Sequence, residues 1–216
     1  LLSRRGYRLE TAKTPMREDL ARAFILSSGW DPTTPFIDPF AGAGTIAIEA
    51  DLLAHNVPPG SLRRFAFMQM PFFDRAAFES VRTQALSRVR SVEPRIFASD
   101  RDPGAVSAAR NNAQRAGSTS IRFEQAALSE APWFRMQLGA QGAVVTNPPY
   151  GKRVGRDATI ERLYRAFGDS VRMLPDTFRV AMAVAASEHA FATALDLVPA
   201  LMTDHGGSKI YFSVRR

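Results

Sequence analysis

Apolar positions along the chain alternate between a helical and a strand spacing, and the succession of the two is the first signal of a fold. Leu20, Ala23, Phe24 and Ser27 fall on one helical face, so residues 16–29 read as a helix with Gly29 as a left-handed stop. A short strand at 35–38 runs into Pro39-Phe40-Ala41-Gly42-Ala43-Gly44, and a helix of small residues follows over 45–55. The same succession returns at a strand over 95–100. After it, Asp102 is placed as an N-cap, Pro103 at the first turn, and Val106, Ala109, Ala113 and Ala116 as an inner stripe that Gly117 ends. Strands at 120–124 and 143–146 come next, the latter continuously apolar as a buried parallel strand should be. Ile160, Leu163, Tyr164, Phe167, Val171 and Leu174 mark an amphipathic helix, residues 178–185 a buried strand, and 188–197 a last helix. Two strands around Gly206-Gly207 read as an antiparallel hairpin.

Strands alternating with helices predict an α/β fold, a doubly wound, mostly parallel sheet with helices on both faces. Residues 56–93 depart from the rhythm and read as an insertion, with Pro58-Pro59-Gly60, the aromatic runs Phe65-Ala66-Phe67 and Phe72-Phe73, and a helix over 74–90. Met68, Met70 and these aromatics read as core or flap packing rather than a cofactor box, with a base-stacking flap as the alternative. There is no internal repeat, and residues 1–216 read as one domain.

Composition narrows the function classes. With 28 Lys+Arg against 21 Asp+Glu the net charge is +7, which fits a polyanionic partner and fits a solubilising surface equally well. Arginines cluster at Arg63-Arg64, Arg88 with Arg90, Lys152-Arg153 with Arg156, and Arg215-Arg216, a composition suited to phosphate contacts. The chain has no cysteine, and His55, His189 and His205 have no paired spacing, so no disulfide, thiolate site or other metal site is expected. No apolar run reaches the roughly 18 residues of a membrane span. The start Leu1-Leu2-Ser3-Arg4-Arg5 lacks an initiator Met and a signal layout, so a soluble, cytoplasmic protein extending further upstream is expected.

In a doubly wound sheet, ligands bind beyond the carboxyl ends of the strands, where Asp38, Asp100 and Asn147 all stand. Gly42 and Gly44 would let backbone pass close to a ligand, with Ala41 and Ala43 too small to obstruct it. The turn is not a dinucleotide fingerprint, since Thr45, Ile46 and Ala47 follow Gly44. Asp38 suits an ammonium group better than a pyrophosphate. Asp100 can accept from two ribose hydroxyls, while Asp102 caps the next helix.

Asn147-Pro148-Pro149-Tyr150 closes the fourth strand. An exocyclic base amine is a poor nucleophile because its lone pair is delocalised into the ring. Acceptors for both N–H groups, the Asn147 side-chain oxygen and the Pro148 carbonyl, favour a tetrahedral nitrogen facing a methyl donor, so positioning supplies much of the catalysis. Two prolines stiffen the array, and Tyr150 offers a face for a flipped base.

At these residues the chain resembles class I S-adenosylmethionine methyltransferases. More narrowly it resembles the THUMP-associated large-subunit (23S) rRNA guanine-N2 methyltransferases, through Arg5-Gly6-Tyr7-Arg8, Pro15-Met16-Arg17-Glu18, Ser28-Gly29-Trp30-Asp31, residues 38–45, Ile48-Glu49-Ala50, Pro59-Gly60 with Arg63-Arg64-Phe65, Ser99-Asp100-Arg101-Asp102, and Thr146 to Gly151. The resemblance implies a Rossmann-like seven-stranded sheet and S-adenosyl-L-methionine as cofactor. It implies methionine-end contacts from Asp38, Pro39, Phe40, Ala41, Gly42, Gly44 and Thr45, with Glu49 counted beside them. It further implies ribose contact by Asp100, adenine contacts from Arg101 and the 124–128 turn including Ala127, and a target-base site at Asn147, Pro148, Pro149 and Tyr150. Ribosomal RNA is the implied partner, captured by an N-terminal region outside these residues. Two departures stand out: Phe40-Ala41 and Ala43 replace the family's usual Cys and Ser, and Gln125-Ala126-Ala127 lacks its usual Asp for the adenine amino group. Competing readings are an adenine-N6 methyltransferase on DNA or RNA, a protein glutamine methyltransferase, and a degenerate nucleic-acid-binding module without activity.

Overall fold

Side chains on the central strands alternate between two apolar layers, and that alternation explains how one sheet carries helices on both faces. In the computed structural model, which describes residues 4–10, 16–149, 157–185, 187–205 and 208–215, the elements run α1 (Glu18–Ser28), β1 (Phe36–Asp38), α2 (Thr45–Ala54), α3 (Arg75–Leu86), β2 (Ile96–Asp100), α4 (Pro103–Ala116), β3 (Ile121–Gln125), β4 (Ala143–Thr146), α5 (Asp157–Val171), β5 (Arg179–Val184), β6 (Leu197–His205) and β7 (Ser208–Arg215). Short 3₁₀ turns lie at Ala66–Gln69, Pro132–Arg135 and Ser187–Thr193. The seven strands are ordered β3-β2-β1-β4-β5-β7-β6. Strands β1 to β5 pair in parallel, and β7 enters antiparallel between β5 and β6.

On β1, β2, β4 and β5, Ile37, Phe97, Val144 and Val180 face the layer that holds Tyr164 and Phe167 of α5. Phe36, Ile96, Val145 and Ala181 face the opposite layer, with Phe24 of α1 and Ile46 and Ala50 of α2. Both layers are mainly apolar, with Ser99 and Thr146 as buried polar positions, which is why these strands are short, mostly apolar runs and not half-polar ones. Fully burying side chains such as Phe36 or Ile37 contributes roughly 1.5–3 kcal/mol each.

Capping follows the sequence. Gly29 and Gly117 end their helices at φ +66° and +75°, and the Asp102 carboxylate accepts from the Gly104 N–H at 2.8 Å. Two expectations are corrected. The buried face of α1 is Ala21, Phe24, Ile25 and Ser28, turned by about one position from the expected Leu20, Ala23, Phe24 and Ser27. The expected helix over 188–197 is a 3₁₀ turn that stops at Thr193. Thr193 Oγ accepts the Leu195 N–H at 3.1 Å, Ala194 adopts φ +52°, and Leu195 and Leu197 are buried two apart, as in the strand that follows. The aromatics of 56–93, read as core or flap packing, pack on one another outside the main core, and no residue from 56 to 93 is buried.

Candidate functional site

The strand order reverses at β1 and β4, where successive units leave toward opposite edges of the sheet, and their carboxyl ends open a crevice there. A cavity of about 580 Å³ occupies it, within the usual range for a small-molecule or cofactor site. Four strand-end segments form part of its wall. The turn after β1 contributes Pro39, Phe40, Ala41, Gly42, Ala43 and Thr45, and the end of β2 contributes Asp100, Arg101 and Asp102. The turn after β3 adds residues 126–129, and the end of β4 adds Asn147 and Pro149.

Asp100 ties these segments together. Its Oδ2 accepts the Gly42 N–H at 2.9 Å, its Oδ1 accepts the Asp102 N–H at 3.0 Å, and its backbone carbonyl accepts from Ala126 N at 3.0 Å. The glycine turn, the start of α4 and the turn after β3 are thus fixed to a single residue. Gly42 adopts φ +52°, in the left-handed region, which orients its N–H toward this carboxylate. Each carboxylate oxygen keeps a second lone pair for a ligand hydroxyl.

Asp38 is the buried counterpart. Its Oδ1 accepts the Thr146 hydroxyl at 2.6 Å and the Phe40 N–H at 3.3 Å, which clamps the end of β1 to the end of β4. Its Oδ2 is buried with no hydrogen-bond donor among the described residues. Burial pushes the carboxyl up to about 7, against the lowering effect of the Thr146 and Phe40 bonds, and the Asp100 charge adds to the rise. Asp38 does not itself line the cavity; its chain neighbour Pro39 does.

Asn147 shows the same feature one strand away. Its Oδ1 is buried and lacks a donor among the described residues, while the residue lines the cavity. A buried acceptor without a partner is costly, and among the buried side-chain atoms without a hydrogen bond in the described residues these two stand at the adjacent ends of β1 and β4, beside the cavity. Tyr164 of α5 donates its hydroxyl to the Pro149 carbonyl at 3.3 Å and steadies the turn from below. Pro148 is buried and does not line the cavity, and Tyr150 lies outside the described residues.

Two expected cofactor residues stand elsewhere. Gly44 does not line the cavity; at φ +83° a Cβ there would sit 3.0 Å from Ala109 Cβ, so this glycine serves close packing of α2 on α4. Glu49 also lies outside the cavity. Its carboxylate is buried and accepts from Arg5 at 3.3 Å and from the Tyr7 hydroxyl at 3.1 Å, with Arg22 at 3.9 Å. Burial raises its carboxyl, and the two guanidiniums oppose that rise. It holds the N-terminal segment against α2.

Sequence reasoning missed one wall of the site. Thr159, Arg162, Leu163 and Ala166 of α5 line the cavity, at the i, i+3, i+4, i+7 spacing of one helical face. Of the expected apolar stripe, Ile160, Tyr164, Phe167, Val171 and Leu174 are buried, whereas Leu163 is half-buried and faces the cavity. No signal in the sequence sets this face apart, since Thr159, Arg162, Leu163 and Ala166 share no chemistry. Met16, which precedes α1, lines the cavity as well. Among the described residues no group of three or more His, Cys, Asp or Glu could hold a metal, and no helix is long and apolar enough to cross a membrane.

Comparison with known proteins agrees with this geometry. Residues 5–204 match the family model described as RMKL-like, methyltransferase domain. The chain is 38% identical over 179 residues to the ribosomal RNA large subunit methyltransferase K/L of Vibrio cholerae, an alignment covering 79% of this chain and 25% of that protein. Among solved structures, SMU.472 complexed with SAH superposes with a TM-score of 0.89 at 30% identity, over 99% of this chain and 55% of that one. A predicted N6-adenine-specific DNA methylase from Listeria monocytogenes follows with 0.84 at 28%, over 98% and 54%. The chain therefore spans about a quarter of the Vibrio protein's length and about half of each solved chain. With the seven-stranded sheet, the crevice at its switch point and a family match over nearly the whole chain, the protein belongs to the RMKL-like methyltransferase domain family.

Proposed function

We propose that this chain is the catalytic domain of an enzyme that moves a methyl group from S-adenosyl-L-methionine to an exocyclic amino nitrogen of an RNA base, most specifically N2 of guanine in large-subunit ribosomal RNA. The observation that carries the reading is the buried Asn147 Oδ1, which has no donor among the described residues in a residue that lines the cavity, an acceptor that a base amine would satisfy. The Vibrio relative's name and the SAH held by SMU.472 support substrate and cofactor.

The residues present fit the cofactor. Asp38 Oδ2 is a buried acceptor that an ammonium group would satisfy, and such a partner favours the ionised carboxylate. Asp100 would accept from ribose hydroxyls through its remaining lone pairs, with Arg101 and the turn at 126–129 against the adenine. In place of the usual Asp, the small side chains Ala126 and Ala127 leave adenine recognition to backbone groups and to packing on Leu128. When bound, the cofactor supplies an electrophilic methyl group.

The chain's own contribution is positioning. Asn147 Oδ1 and the Pro148 carbonyl accept the two amine hydrogens, which draws the nitrogen lone pair out of the ring and directs it toward the donor. The buried prolyl backbone and the Tyr164 bond to Pro149 keep this array stiff, so little reorganisation accompanies the reaction. Tyr150 supplies the stacking face for the flipped base. The amine proton displaced on alkylation leaves to solvent, since no strong base is needed for it.

The test supplies labelled S-adenosylmethionine and unmodified ribosomal RNA to the chain in its full-length protein, followed by mass spectrometry of the digested nucleosides. N2-methylguanosine is expected. N6-methyladenosine would replace guanine by adenine, in line with the description of the Listeria neighbour, and label found only in protein would overturn the nucleic-acid reading.

A further inference from the structure

Residues 56–93 leave α2 and return to β2 through a narrow neck, where the Arg90 N–H bonds the His55 carbonyl at 2.7 Å and the Asn56 side chain bonds the Arg88 carbonyl at 3.0 Å. α2 starts at the glycine turn and, at 1.5 Å per residue, carries the chain about 15 Å away before this neck begins. The segment thus stands off from the cavity. No residue in it is buried, although it contains a twelve-residue helix.

Its aromatic side chains, exposed at Phe67 and half-buried at Phe65, Phe73 and Phe78, are not a random surface. Phe65, Phe67, Phe73 and Phe78 form one cluster with ring centroids 5.3–6.2 Å apart. The Arg63 guanidinium lies 4.9 Å from the Phe65 centroid, and that of Arg75 lies 6.0 Å from Phe73. Beside the cluster Phe72 is 79% exposed, the largest value among the large exposed hydrophobic residues. An apolar ring so placed in water needs a covering partner, and the local charge says of which sign. The segment carries six arginines against three acidic residues, a net of +3 out of the chain's +7 in 38 of its 216 residues. Aromatic faces interleaved with guanidiniums are the composition that holds single-stranded nucleic acid: bases stack on the rings and phosphates meet the arginines.

We propose that the aromatic cluster of residues 65–78, with Phe72 as its outermost ring and Arg63 and Arg75 on its faces, is a stacking platform for single-stranded RNA. It would grip the strand at a distance from the nucleotide whose base enters the cavity. This rests on RNA being the substrate, as proposed above.

Fluorescence anisotropy of a fluorescein-labelled oligouridylate tests it, on the wild-type chain and on Phe72→Leu, Phe72→Tyr and Arg75→Glu. Phe72→Leu keeps apolar bulk but removes the aromatic face, and should weaken binding by roughly fivefold to a hundredfold. Phe72→Tyr keeps the face and should bind as the wild type does, while Arg75→Glu should weaken binding and make the salt slope shallower. Because these side chains are exposed, circular dichroism and cofactor binding should match wild type for all three. If Phe72→Leu binds RNA as tightly as the wild type, the platform is wrong and the methyltransferase reading stands. If the wild type binds no oligouridylate, the platform is wrong, and the methyltransferase reading is decided separately by the labelled ribosomal RNA experiment above. A concentration-dependent dimer of the wild type that is lost in Phe72→Leu would assign the cluster to a second copy of the chain and overturn the platform.

Discussion

Asp38 Oδ2 and Asn147 Oδ1, both buried and without a hydrogen-bond donor among the described residues, are the places where single substitutions test the proposed chemistry. Asp38 has a carboxyl raised to about 7 by burial, against about 3.9 in an unfolded chain. Between those values the folded protein binds a proton that the unfolded chain has already lost. Its contribution to stability is therefore full below about pH 4, declines as pH rises to about 7, and is constant above that. Asp38→Asn removes this dependence. In urea denaturation without ligand, the variant should gain on wild type between pH 5 and pH 8, by an amount on the order of a few kcal/mol. Parallel pH profiles for the two proteins would show that Asp38 is not buried in this way. Asn147→Ala should reduce methyl incorporation by roughly 10²–10³-fold, the usual cost of removing one preorganised hydrogen-bonding group. Calorimetry on the same variant should find cofactor affinity nearly intact, and an equal loss of both would assign Asn147 to the cofactor instead.

At the scale of elements, α2 separates two jobs that lie close in sequence. Its first turn, at Thr45 and Ile46, faces the cavity, while Glu49 one turn later is buried against Arg5, Tyr7 and Arg22. Removing one partner from a buried ion cluster leaves the others without compensation, a loss of about 3–5 kcal/mol. Glu49→Ala should accordingly lower stability by an amount of that order in chemical denaturation and leave cofactor affinity near wild type. A variant of native stability with lost cofactor binding would return Glu49 to the site. The grouping of Glu49 with the glycine turn shows the limit of reading by proximity along the chain. Asp100 was legible because it ends a strand in a fold where strand ends converge. The cavity face of α5 was not legible, since Thr159 and Ala166 have no chemistry that sets them apart from an ordinary helix surface.

The whole molecule presents a basic surface, and its net charge of +7 bears on association more than on folding. If RNA is the partner, the logarithm of the association constant should fall linearly with the logarithm of salt concentration, with a slope of about −0.7 per neutralised phosphate of a single strand. Filter binding across a salt series measures this, and a slope near zero would separate the positive charge from substrate binding. A quantity of this kind depends on how the arginines are distributed over the surface. Arg115, for example, is engaged with Glu10 and the Tyr7 carbonyl. Arg88 and Arg90 lie on the exposed segment that follows α3.

By itself the sequence determined the succession of elements, the helix caps and the placement of Asp38, Asp100 and Asn147 at strand ends. These are set locally, by apolar spacing and by residues such as Asp102 and Gly117 whose backbone preferences are strong. It also contained the family motifs. Only the tertiary structure decided which acceptors are left without donors, because hydrogen-bond satisfaction depends on groups from distant segments: Thr146 reaches Asp38 across 108 residues, and Gly42 reaches Asp100 across 58. It likewise decided that the aromatics of 56–93 stay outside the core. Periodicity says that a face is apolar, and only the packed chain says whether anything covers it.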